Sequence, residues 1–201
     1  MLEELKEFKK FKETYQFEQK EIQEIDGKEY CEGYPLVNEE EKTIGDCEAW
    51  VNVGYKHEGC LAKVLSNLFP YEFEFRGKKL SSIESFFQGI KFKDINMQDY
   101  VFAYSGLDSN RVKACSGYDW KLTGKIYWQG QEIDRYSKEY DDLVDEMYIS
   151  AIQNPLYRNV LKTTNVYIMH AIGAKEKSET VFTRYEFEKQ LNCLKDFLKN
   201  K

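Results

Sequence analysis

The chain has no long apolar run, no basic surplus, only two histidines and no pair of cysteines at metal-ligand spacing. Without a run of the length a bilayer requires, no membrane span is expected. The charged amino terminus, Met1-Leu-Glu-Glu-Leu-Lys, lacks the apolar segment of a signal peptide, so a cytoplasmic protein is expected. Lys and Arg total 29 against 35 Asp and Glu, a net charge of −6. That balance excludes a groove that tracks nucleic acid by charge alone, though not recognition of one exposed nucleotide. Cys31, Cys47, Cys60, Cys115 and Cys193 are scattered and odd in number, and His57 and His170 lie far apart. Neither a disulfide framework nor a structural zinc site is expected, and no cofactor or metal is required.

What is present is aromatic: 15 Tyr, 13 Phe and 3 Trp in 201 residues. A chain of that length buries a core unaided as one domain or one domain with an appendage. Most of these rings must fill that core, and some can offer a planar ligand a stacking surface. Leu2, Leu5, Phe8, Phe11 and Tyr15 predict an amino-terminal amphipathic helix ended by Asp26-Gly27. Residues 28 to 46, with Glu39-Glu40-Glu41, read as a solvated connection. Residues 1–45 are therefore set apart from a domain over 46–201.

Trp50 to Tyr55 alternates like a strand, and Ser66-Asn67 before Pro70 suits either a turn or a pocket wall. Tyr71 to Leu80 predicts a β-hairpin turning at Arg76-Gly77, with Phe73 and Phe75 inward. The hairpin feeds Ser81–Phe92. As a helix this segment buries Ile83, Phe86, Phe87 and Ile90 and aligns Glu84, Gln88 and Lys91 on a polar strip. Ser81-x-x-Glu84 also has the form of a capping box, so Glu84 is either a helix cap or a chemical group. The region around Trp120 and Trp128 reads as irregular; its tryptophans either plug the core or line a groove. Lys138–Gln153 is a helix broken at Asn154-Pro155, Val166–Ile172 a buried strand carrying His170, and Thr183-x-x-Glu186 the capping box of a last helix.

Several of these pieces, in order, resemble the NADAR family, typified by YbiA-like N-glycosidases. They are Leu65-Ser-Asn-Leu-Phe-Pro70, Ser82-Ile-Glu-Ser-Phe-Phe-Gln-Gly-Ile-Lys-Phe92, Tyr127-Trp-Gln-Gly130, Ser137-Lys-Glu-Tyr140, Asn154-Pro-Leu-Tyr-Arg158 and His170-Ala-Ile-Gly173 leading to Glu179–Thr183. The resemblance implies an α+β, mostly α-helical fold: a compact single YbiA-like domain with a short β-hairpin and an added N-terminal helix. It implies hydrolysis of an N-glycosidic bond in a ribose phosphate, either ADP-ribose attached to guanine in nucleic acid or a riboflavin-pathway ribosylaminopyrimidine phosphate. By the same resemblance Glu84 is the catalytic carboxylate, with Lys91 following it. Glu176 is the nearest equivalent of a last-loop acid that the family keeps in a Trp-Gly context. Trp128, or else Trp120, would stack on the base, and Ser66, Asn67, Gln88 and His170 would line the substrate. The expected partner is a nucleotide or ADP-ribosylated nucleic acid. Two other classes fit the same residues: a non-catalytic ADP-ribose or NAD sensor, and a protein-interaction domain that uses the amino-terminal helix.

Overall fold

The structure, a computed structural model, describes residues 1–38, 43–44, 49–55, 59–105, 108 and 119–201. The acidic run Glu39–Glu41, Cys47, His57, Cys115 and Tyr118 lie outside them. Over the described residues the chain is a mixed α/β domain whose helices carry several small, separate sheets. None of those helices is long and apolar enough to cross a membrane.

Helix α1 (Leu2–Thr14) stops well before Asp26-Gly27, where its end was expected. Asp26 and Gly27, at φ 52° and 73°, form instead the two-residue turn between β1 (Gln23–Ile25) and β2 (Lys28–Cys31). Asp-Gly suits a helix end and a hairpin turn alike, and only cross-strand pairing decides between them. Strand β3 (Tyr34–Pro35) continues the meander, and β4 (Val37–Asn38) pairs with β5 (Thr43–Ile44). The stretch expected as a solvated connection thus contains strands, and it buries Cys31 and Leu36 with Trp50 and Met169 in a small second core. Phe8 of α1 enters the main core.

Strand β6 (Trp50–Asn52) leads through α2 (Cys60–Val64) to the expected hairpin, β7 (Phe73–Phe75) and β8 (Lys78–Leu80). Phe73 and Phe75 point inward and Glu72 and Glu74 outward. Helix α3 (Ile83–Gly89) follows, capped by Ser82, whose Oγ accepts from Ser85 N at 3.1 Å. The Ser81–Glu84 capping box does not form. Ser81 N donates to the Phe102 carbonyl and Glu84 N to the Asn67 carbonyl, at 2.9 and 2.8 Å. With two adjacent serines the pattern leaves the cap ambiguous by one position, and the packing of the hairpin resolves it. Ile83, Phe86, Phe87 and Ile90 are buried, and the Glu84 carboxylate is released from capping.

Helix α4 (Ile95–Phe102) lies so close to α3 that a Cβ at Gly89 would stand 2.3 Å from the Phe102 ring. The region expected to be irregular is regular in its second part. After α5 (Asp119–Thr123), β9 (Lys125–Trp128) and β10 (Gln131–Asp134) pair as a hairpin turned by Gln129 and Gly130, at φ 45° and 88°. Helices α6 (Lys138–Ala151) and α7 (Pro155–Thr163) begin at the caps Ser137 and Asn154. Strand β11 (Tyr167–Met169) pairs with β6 in parallel, Ile168 opposite Val51. Helix α8 (Arg184–Lys199) carries both halves of the Thr183–Glu186 capping box. Glu186 also takes the fully buried Arg135 in a two-point pair. Two residues on, the fully buried Glu188 accepts from Gln19 Nε2, Tyr167 OH, His170 N and Arg184 Nε, all within 2.7–2.9 Å.

Gly89→Ala should destabilise the protein by about 1–3 kcal/mol through overpacking against Phe102, read as a lower urea midpoint. Ala is the better helix former, so an unchanged or raised midpoint would show that α4 is not held against α3.

Candidate active site

The polar strip of α3 forms one wall of a cavity of about 540 Å³. Along it Lys91 Nζ donates to Gln88 Oε1 at 2.7 Å, and Gln88 Nε2 donates to Glu84 Oε1 at 2.6 Å. Gln88 and Lys91 are buried, and Glu84 is partly open to the cavity. An ammonium that donates to the amide oxygen orients the amide, which turns its N–H toward the carboxylate. One oxygen of Glu84 is thereby fixed. Among the described residues Oε2 has no hydrogen-bond partner.

The turn before the hairpin supplies the next wall. Ser66 Oγ accepts from Leu68 N at 3.3 Å, so the turn reading of the Ser-Asn pair holds, and both side chains also line the cavity. Asn67 is bound to α3 through its main chain and, through Oδ1, to Tyr148 OH at 3.0 Å.

Segment 170–182 closes the opposite side. His170 Nδ1 lies 3.1 Å from the Val53 carbonyl, which can only accept, so Nδ1 carries the proton and Nε2 is the acceptor. Burial holds the imidazole below its ordinary 6.5 despite that bond and the nearby Glu188, and the ring is neutral at pH 7. Phe87 and Phe182 stack at 4.6 Å, and Phe187 packs on His170 at 4.7 Å. The cavity is therefore lined both by carboxylate, amide and amine groups and by aromatic rings.

Two expected residues lie elsewhere. Trp128 is buried in the core against Phe75, Phe102 and Phe86, at 4.7, 5.4 and 6.0 Å, and does not border the cavity. Strand alternation on β9 turns it inward. Trp120 on α5 does line the cavity, with Lys91 and Lys121 each 5.7 Å from its ring centre. Glu176 is exposed and borders a second cleft of about 640 Å³, between α6 and the start of α8. The carboxylate that segment 170–182 brings to the first cavity is Glu179. The two stand three positions apart, and the loop turns between them, with Glu179 N donating to the Glu176 carbonyl at 3.0 Å. Tyr148, Lys121, Glu179 and Phe182 escaped sequence reasoning; only Glu179 and Phe182, both inside the Glu179–Thr183 motif, carried a signal. Among the described residues no group of three or more His, Cys, Asp or Glu is disposed to hold a metal ion.

The fold and the site define a mixed α/β domain with a half-polar, half-aromatic cavity built on one helix. The sequence pattern of the family described as bacteriophage protein GP30.3 matches residues 59–196, and the chain belongs to that family. That span holds every cavity residue named above except Val53. Among relatives, a 17.1 kDa protein of the Gp30–rIII intergenic region of Enterobacteria phage T4 is 31% identical over 137 residues, 67% of this chain and 90% of the phage protein. Among solved structures, the NMR structure of the E. coli protein YbiA is similar with a TM-score of 0.44 and 12% identity, over 83% of this chain and 91% of that one.

His170 gives a pH test. Its native pKa lies below the unfolded value of 6.5, so the unfolded chain takes the proton first as pH falls. The stability tied to its neutral form is complete above about pH 6.5 and is lost below it. The His170 imidazole resonance should titrate with a midpoint under 6.5, and stability should fall less steeply on acidification in His170→Asn. A midpoint at or above 6.5 contradicts the burial.

Proposed function

We propose that the protein is an N-glycosidase that hydrolyses the C1′–N bond of a ribose-phosphate substrate, ADP-ribose on guanine in nucleic acid or a ribosylaminopyrimidine phosphate. The observation that carries this reading is the Lys91–Gln88–Glu84 relay, which ends at the cavity wall on a carboxylate whose other oxygen, Oε2, has no hydrogen-bond partner among the described residues. Cleavage of such a bond passes through an oxocarbenium-like state. Glu84 faces that charge and takes the proton of the attacking water. Lys91, with Lys121 across the Trp120 ring, offers positive charge to a phosphate. Trp120 takes the stacking role, worth roughly 1–3 kcal/mol for a base on an aromatic ring. Ser66 and Asn67 orient the ribose, and His170 accepts from a hydroxyl or base N–H. Glu179 stands nearest to the part of a second acid, at the exposed rim where the departing base would leave.

The test is mass spectrometry after incubation with ADP-ribosylated guanine oligonucleotide and, separately, the ribosylaminopyrimidine phosphate. Release of ADP-ribose or of ribose 5-phosphate is expected. Glu84→Gln should keep the fold and lower turnover by about 10²–10⁴-fold. Full activity in that variant removes Glu84 from the mechanism. Thermal stabilisation by ADP-ribose without product from either substrate would instead make the protein a nucleotide sensor.

A further inference from the structure

Tyr148, on α6, has no exposed surface, and its hydroxyl donates to Asn67 Oδ1 at 3.0 Å. Burial holds the phenol far above its ordinary value of 10, so the donor keeps its proton at any pH at which the protein is folded. If the Asn67 amide turned over, the buried hydroxyl would have to aim its proton at another acceptor. Among the described residues the bond to Asn67 is the one hydrogen bond that this hydroxyl donates. The Asn67 Nδ2 group, with two N–H donors, is left on the cavity side, without a protein acceptor among the described residues and not sealed in the interior. The main-chain carbonyl of the same residue receives Glu84 N at 2.8 Å. The outward donor and the carboxylate thus belong to one hydrogen-bonded unit.

We propose that Tyr148 is a positioning residue that makes Asn67 a one-way donor, and that this donor selects a hydroxyl oxygen of the substrate's ribose. The ribose is the part of the substrate that meets this donor because Glu84, to which Asn67 is tied, acts at C1′. The inference rests on the proposed reading of the cavity as the substrate site. Tyr148 acts through the orientation of the amide and touches no substrate itself.

The test is ADP-ribose binding by calorimetry to the wild type, Y148F, N67D and Y148F/N67D. Asp has the size of Asn but no N–H to present, so N67D should bind about tenfold more weakly, the scale of one lost hydrogen bond. Y148F, with the amide free to turn, should lose about two- to threefold on the same scale. The double variant should be no weaker than N67D, because a carboxylate has no donor to orient. Additive losses would mean that Tyr148 acts by packing alone, and wild-type binding in Y148F or N67D would also overturn the proposal. A wild type that binds no ADP-ribose counts against the ADP-ribose form of the proposed function. The Tyr148–Asn67 link is then judged by unfolding, where the stability loss of Y148F should vanish in an Asn67→Ala background. A loss of the same size in both backgrounds overturns the link.

Discussion

The carboxylate of Glu188 has no exposed surface, and four stretches of chain converge on it. Gln19 reaches it from the segment after α1, Tyr167 from β11, the amide of His170 from the strand's exit and Arg184 from its own helix. A charge so enclosed is tolerated only while its partners stay in place. Arg184 neutralises it from the same helix, and each of the other three stretches would leave the buried carboxylate short of a hydrogen bond if it withdrew. That constraint fixes the point where β11 leaves the sheet, and His170 enters the cavity wall from there. It also explains why the amino-terminal segment, outside the family span of residues 59–196, is joined to the domain by more than the apolar contact of Phe8.

Helix α3 is the other fixed part. Its apolar face is pressed between the β7–β8 hairpin and α4, so tightly that only glycine fits at position 89. A helix held on one side by packed rings cannot rotate, and its polar strip inherits that rigidity. The relay of Lys91, Gln88 and Glu84 is therefore oriented twice, by the backbone beneath it and by the direction of its own hydrogen bonds. The bond from Glu84 N to the Asn67 carbonyl extends the same rigid unit across the cavity's edge.

Much of this was legible in the residues. The periodicity of Ile83, Phe86, Phe87 and Ile90, the Arg76-Gly77 turn, the Asn154-Pro155 break and the Thr183–Glu186 box are each set within one helical turn or one hairpin, where spacing and side-chain chemistry act directly. What misled were motifs with two local solutions. Asp26-Gly27 serves a helix end or a hairpin, and Ser81-Ser82 offers two caps in succession. For Trp128 and Trp120 the question was not local at all: both lie in regular elements, and the side to which each indole turns depends on what packs above and below it. Glu176 and Glu179 differ only in how one loop bends.

The sequence by itself determined which faces are apolar, where α6, α7 and α8 start, and that Glu84, Gln88 and Lys91 share one strip, because these follow from local caps and from the repeat of a single helix. The tertiary structure alone decided which tryptophan and which loop carboxylate meet that strip. It also decided that Tyr148 faces Asn67 and that Glu188 is the meeting point of distant segments. Such pairings join residues 18 to 169 positions apart, and no local spacing encodes them. They exist because buried polar groups must find partners, and only the assembled core brings those partners within reach.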